Sequence, residues 1–257
     1  MGERTSYPPG TFSWVDLATT DVAAAKAFYG DLFAWEGEDM PAGEAGTYTM
    51  LLKDGGEVAG LYELGSEMRE QGSQPRWTSY VTVADLDASA THAEALGGTV
   101  VAGPFDVMEA GRMASVRDPQ GAVIALWQAG GHPGARLVNE AGALSWNDLI
   151  TPDPHASRRF YSELFGWRIE EVPGSGGSYW SIHNGESANG GLRPLDGVPP
   201  AWTAYFATDD LDVAIATVTD AGGSVLMPPR EVPAGRFGAV RDPQGAAFSL
   251  LEGRLDP

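Results

Sequence analysis

The chain has 257 residues, and its 16 basic against 35 acidic side chains leave a formal net charge of −19, which repels phosphate backbones and anionic membrane surfaces. It has no cysteine, so disulfides, thiolate metal sites and cysteine nucleophiles are excluded. No apolar run is long enough to span a bilayer and the first ten residues lack the apolar core of a signal peptide, so a soluble cytoplasmic protein with neither nucleic acid nor membrane as partner is expected.

Trp14, Asp16 and Ala18 alternate with Val15, Leu17 and Thr19, which predicts a strand with two distinct faces. Thr20 and Asp21 can cap a following helix, whose apolar stripe is Val22, Ala25, Phe28, Tyr29, Leu32 and Phe33. Residues 36–45 are acidic and rich in Gly and Pro, as suits a loop, and strands at 47–53 and 57–64 flank the turn signal Asp54-Gly-Gly. After a polar loop at 65–76, a strand at 77–83 leads through Ala84 to Asp87 into a helix with the stripe Leu86, Ser89, Ala93 and Leu96, stopped by Gly97-Gly98. Strands at 99–101, 112–117 and 122–128 follow, the last two joined by the turn Asp118-Pro-Gln-Gly.

The same order returns after a glycine-rich linker at 130–142. Trp146 to Asp153 repeats Trp14 to Asp21 at an offset of 132 positions, Phe160-Tyr161 repeats Phe28-Tyr29, and Val240 to Ala246 is identical to Val116 to Ala122. Strands at 179–184, 190–193 and 202–208, a helix from Asp209 stopped by Gly222-Gly223, and strands at 236–241 and 246–252 complete it. A duplicated unit of this size predicts two domains, 8–130 and 138–254, each long enough to bury a core of its own.

Three motifs in order, twice over, carry a family resemblance: the strand-Thr-Thr-Asp-helix-Phe-Tyr opening (Thr-Pro-Asp in the second copy), the Asp-Leu-Asp helix ending in Gly-Gly, and the Asp-Pro-x-Gly turn before a final strand. The chain resembles the vicinal oxygen chelate superfamily, which includes glyoxalase I, bleomycin-resistance proteins and extradiol dioxygenases, and within it a tandem two-domain actinobacterial subgroup that includes the mycobacterial 27 kDa antigen. The resemblance implies an α+β fold of tandem glyoxalase-like domains, each made of two βαβββ modules that curl into a cup-shaped sheet. It also implies that a duplicated chain reproduces a dimer contact internally, giving a monomer with an internal pseudo-dimer or a weak homodimer.

In metal-using relatives the ligands stand at positions that, in this chain, hold Trp14, Thr78 and Ala125 in one half and Trp146, Thr203 and Ser249 in the other. A fourth position aligns with 58–61 and 189–192, near Glu57 and Glu63. Indole, methyl and neutral hydroxyl groups do not make a divalent-cation site, so neither metal nor cofactor is expected. Strand alternation directs Trp14, Asp16, Thr78, Tyr80, Val123, Ala125 and Trp127 to one cup and Trp146, Asp148, Thr203, Tyr205, Ala247 and Ser249 to the other. Aromatic walls with a few polar groups suit a flat organic ligand, although each tryptophan could equally be core that plugs a vacated site.

Asp16 and Asp148, with Tyr80 and Tyr205 beside them, are the candidate acid/base residues; the plainer alternative is that each carboxylate braces its strand. Arg112 and Arg236 can hold an anionic ligand or serve as surface braces. His92, His132, His155 and His183 form no set and read as solvated, and the Asp-Pro-Gln-Gly turns read as structural.

Three functions compete. The favoured one is a metal-free module binding a small aromatic or amphipathic molecule, in resistance, sequestration or secondary metabolism. A metal-independent isomerase or lyase using a cup aspartate comes next, and a metal-dependent glyoxalase or dioxygenase has least support from the residues.

Overall fold

A computed structural model describes residues 4–43, 46–70 and 72–253. Ala45 and Gln71, in the two expected loops, and Arg254, at the expected end of the second domain, lie outside the described residues.

The first half runs β1 (Phe12–Thr19), α1 (Val22–Phe33), β2 (Glu36–Pro41), β3 (Thr47–Lys53), β4 (Gly56–Glu63), α2 (Ser66–Glu70), β5 (Arg76–Thr82), α3 (Leu86–Ala95), β6 (Thr99–Val107), β7 (Gly111–Arg117) and β8 (Val123–Ala129). The second half runs β9 (Leu144–Thr151), α4 (Pro154–Phe165), β10 (Arg168–Glu171), β11 (Trp180–Asn184), β12 (Ser187–Pro194), β13 (Ala201–Ala207), α5 (Leu211–Asp220), β14 (Ser224–Val232), β15 (Gly235–Arg241) and β16 (Ala247–Gly253). Each half forms one eight-stranded mixed sheet, ordered β2-β3-β4-β1-β5-β8-β7-β6 and β10-β11-β12-β9-β13-β16-β15-β14. In each sheet two βαβββ modules meet at a central antiparallel pair, β1 with β5 and β9 with β13, so the chain is α+β as the motifs imply.

The four longer helices start on aspartate caps, Asp21, Asp85, Asp153 and Asp210, each accepting a bond from the backbone N–H three residues on. Residues 36–45 are not simply a loop: Glu36–Pro41 pairs with β3 as an edge strand, its charges in solvent where they discourage further strand addition. The expected loop at 65–76 contains α2, and β10 and β14 are strands that the sequence reading passed over.

The helix-side cores are shared between the halves, while each cup side has a cluster of its own. One helix-side core joins the first module of the first half to the last module of the second: Phe28, Tyr29, Phe33 and Trp35 with Phe206, Phe248 and Leu250. The other joins the two middle modules, Leu86, Val116 and Ile124 with Phe160, Tyr161 and Trp167, and takes in Trp202 from β13. Tyr29 and Tyr161 cross between halves reciprocally, Tyr29 donating to Asp242 at 3.0 Å and Tyr161 to Asp118 at 2.9 Å. These aspartates are the turn residues of Asp-Pro-Gln-Gly; each also accepts backbone N–H groups of its own turn, so one side chain braces a turn and the junction together. Among the described residues, no helix is long and apolar enough to cross a membrane.

Candidate functional site: two unequal cups

With the helices on one side of each sheet, the alternate residues face a concave side, and the registers gather the candidate residues there. In the first cup Trp14 lies opposite Tyr80, Asp16 opposite Thr78, and Tyr80 beside Ala125. Trp14 donates its indole N–H to the Tyr48 hydroxyl at 2.9 Å, and Tyr80 donates to Asp16 Oδ2. Asp16 is only 3% exposed and its Oδ1 has no hydrogen-bond partner. Burial pushes its pKa up to about 7, against the Tyr80 hydrogen bond, Arg76 and Thr78, which all favour the charged form.

This cup is filled. Met50, Trp127, Ala135 and Val138 are buried with Trp14 and Tyr80, and Met40, Val107 and Met113 pack against them. The linker is a strap bonded to the beginnings of β1 and β4, the Ala135 N–H donating to the Ser13 carbonyl at 2.8 Å and the Arg136 N–H to the Glu57 carbonyl at 2.7 Å, and its Ala135 and Val138 join the cup's cluster. His132, expected to be solvated, instead stands edge-on to Trp14 with ring centroids 4.6 Å apart, and its Nδ1 is 3.4 Å from Glu57. Burial holds its pKa below the usual histidine value, against the pull of Glu57.

The second cup has the same frame and a different interior. Trp146 lies opposite Tyr205, Asp148 opposite Thr203, and Tyr205 beside Ser249. Asp148 Oδ1 accepts from Trp146 Nε1 and from the Tyr179 hydroxyl, both at 2.9 Å, and Oδ2 accepts from Tyr205 at 2.6 Å. Arg193 reaches over from β12, its Nε 3.2 Å from Asp148 Oδ2 and its guanidinium 5.4 Å from the Phe237 ring centroid. Tyr205, Phe237, Ser249 and Leu251 are buried, whereas Trp146, Tyr179, Arg193 and Thr203 stay half-buried. Gly191 makes this closeness possible, because a Cβ there would lie 2.0 Å from the Tyr179 hydroxyl and 2.3 Å from Asp148 Oδ1.

Arg112 and Arg236 are not brought to the cups. They sit on the helix side, Arg112 paired with Asp87 at 2.7 Å and Asp106 at 3.0 Å, Arg236 with Asp212, Glu231 and Glu252 at 3.1 to 3.4 Å. Those ion pairs tie strands to helix starts. Tyr48, Tyr179 and Arg193 were missed by the sequence reading. The two tyrosines left a signal, standing 34 and 33 residues after their tryptophans. Arg193 left none, because Tyr62 holds the corresponding place beside Gly60 in the first half.

The donors at the family's metal positions remain indole, hydroxyl and methyl groups, and among the described residues no three His, Asp or Glu side chains stand close enough to hold a metal ion. The donor set does not fit a divalent cation. Two surface depressions, of about 310 and 460 Å³, lie away from both cups, one along α4 beside Arg158 and Arg159 and the other between α3 and β6.

The chain is 41% identical over 257 residues to CFP32 of Mycobacterium bovis, a protein with a provisional glyoxylase name, with 98% of each chain covered. It is 34% identical over 263 residues to the anthracycline biosynthesis protein DnrV of Streptomyces peucetius, covering 96% of this chain and 95% of that one. Among solved structures, the Mn(II)-bound glyoxalase of Novosphingobium aromaticivorans matches with a TM-score of 0.65 at 16% identity, covering 100% of this chain and 85% of that one. The 2,3-dioxygenase LapB of Pseudomonas sp. KL28 matches with a TM-score of 0.66 at 12% identity, covering 98% and 95%; at such identities both likenesses concern the fold alone. The family model for this superfamily matches twice, at residues 11–126 and 143–250, and the chain belongs to the glyoxalase/bleomycin resistance protein/dioxygenase superfamily as a tandem of two such domains.

Proposed function

We propose that this protein binds a small, flat aromatic or amphipathic molecule in the cup of its second half, without using a metal ion. The observation that carries this reading is the inequality of the cups: in the first Trp14 is buried among Met50, Trp127, Ala135 and Val138, while in the second its counterpart Trp146 stays half-buried and Arg193 stands where the first half has Tyr62. An anthracycline is a fused-ring aromatic, so the relatives named for anthracycline biosynthesis fit a ligand of this class. Sequestration, resistance or secondary metabolism in the cytoplasm is the setting we infer, by a monomer whose domains, 8–130 and 138–254, form an internal pseudo-dimer.

A second reading has its own observation. Asp16, with a pKa near 7, an unpartnered oxygen and Tyr80 alongside, has the properties of a general acid or base for a metal-independent isomerase or lyase. Its burial makes it the lesser of the two.

Calorimetric titration with anthraquinone-2-carboxylate and its neutral carboxamide separates pocket from plug. Trp146→Ala should weaken binding of both at least tenfold with little loss of stability. Trp14→Ala should cost roughly 3–5 kcal/mol of stability, as core aromatics do, and leave binding intact. Unchanged affinity in Trp146→Ala alongside a large stability loss would refute the pocket.

A further inference from the structure

In the second cup a half-buried cation, Arg193, stands where the first half has Tyr62, and we propose that it makes this cup a site for a planar aromatic acid, the guanidinium receiving the ligand's carboxylate. This rests on the reading that the second cup binds a small molecule.

Asp148 already has its hydrogen-bond partners. Its two oxygens accept three hydrogen bonds, from Trp146, Tyr179 and Tyr205, so it does not depend on Arg193 for partners. Arg193 Nε, although 3.2 Å from Oδ2, is not aligned for a hydrogen bond and remains a buried donor without an acceptor. Its terminal nitrogens also make no hydrogen bond to the described residues. The five-donor fork is thus held in place by the Asp148 charge and the Phe237 face, in a side chain only 22% exposed, with its hydrogen-bonding capacity unused.

Of these donors only Nε is buried; the terminal nitrogens are open to solvent and can exchange water for an incoming acceptor. The planar fork matches a carboxylate bidentately, which selects an acid over a neutral ligand of the same shape. Trp146, half-buried, supplies flat apolar surface near the fork. A ligand combining flat rings with one carboxylate satisfies both at once.

The chain's charge of −19 opposes an anion at long range. Screening confines that opposition to about 8 Å at physiological ionic strength, while a direct contact with a half-buried guanidinium is screened far less. In the first half the corresponding place is Tyr62, and Arg76 lies exposed at the start of β5, bonded to the Gln74 carbonyl at 3.4 Å. Arg76 does reach Asp16 with its charge, but from an exposed position, so the half-buried guanidinium is a feature of the second half.

Titrating the full chain with anthraquinone-2-carboxylate and with anthraquinone-2-carboxamide tests this. The wild type should bind the acid at least tenfold more tightly than the amide, and Arg193→Gln should abolish that preference while retaining affinity for the amide. A thermal melt reports whether Arg193→Gln remains folded, and the wild-type comparison decides the matter even if it does not. Equal affinity for acid and amide in the wild type would overturn the acid site and leave the small-molecule reading standing. Binding of neither probe would overturn that reading, and the acid site with it.

Discussion

Asp16 and Asp148 occupy equivalent places on equivalent strands, yet their surroundings divide them. Asp148 faces Arg193 and accepts three hydrogen bonds, whereas Asp16 has one strong donor, Tyr80, and an oxygen left alone. With a folded-state pKa of about 7, Asp16 holds a proton in the native chain that the unfolded chain has already released above about pH 4. Its contribution to stability is therefore complete at low pH and is lost as pH rises toward and through 7. Asp16→Asn keeps the shape and removes the titration, so it should gain on the wild type by about 2.5 kcal/mol between pH 5 and pH 8. Urea denaturation at the two pH values measures this, and a difference between the two proteins that does not change with pH would show that the carboxyl titrates normally. The shared face of Trp14 and Asp16 was legible from period-two alternation. The contrast between the two aspartates was not, because it arises from Tyr62 and Arg193 on a neighbouring strand, where the repeat breaks.

At the level of elements, the strand-helix opening was readable because it is central, long and repeated, with its alternation and aspartate cap intact. The strands that escaped, β2, β10 and β14, are edge strands whose exposed positions dilute the alternating pattern; β14 also carries Pro228-Pro229 and two register shifts against β15. The Phe-Tyr motif shows the same limit. Its helical spacing marked it as core, but its partner lies 213 residues away. Tyr29 donates to Asp242 and accepts from Trp77 at 3.0 Å, and Tyr161 joins Asp118 and Trp202 in the same way. Tyr29→Phe preserves the ring packing and strands both partners, one of them a buried carboxyl whose pKa burial already raises. It should lower stability by about 1–3 kcal/mol, and Tyr161→Phe by a similar amount, in a denaturant titration. A neutral outcome at both sites would mean that the turns hold without the crossing bonds.

At the scale of the whole molecule, a repeat reveals units but not which units pack together. Sequence identity between the halves marks two domains joined by a dimer-like contact, and the structure places each helix-side core across the boundary between them. Phe28 meets Phe248 edge to face, Phe33 packs at an angle on Phe206 and Phe248, Phe12 contacts both Trp167 and Trp202, and Ser79 bonds Asn147 at 2.6 Å where the halves meet. Dividing the chain within the strap exposes a broad aromatic face on each fragment, larger than an isolated soluble monomer usually tolerates. The fragments 1–137 and 138–257 should therefore aggregate or self-associate when produced alone, since a copy of the same half offers a similar surface. Mixed during refolding, they should form a one-to-one complex with the elution volume and far-ultraviolet spectrum of the intact chain. Size-exclusion chromatography with circular dichroism reads both results. A fragment that runs as a monomer and melts cooperatively near the temperature of the intact chain would mean that each half closes its own core, and that the crossing tyrosines stabilise a contact between finished domains instead of completing them.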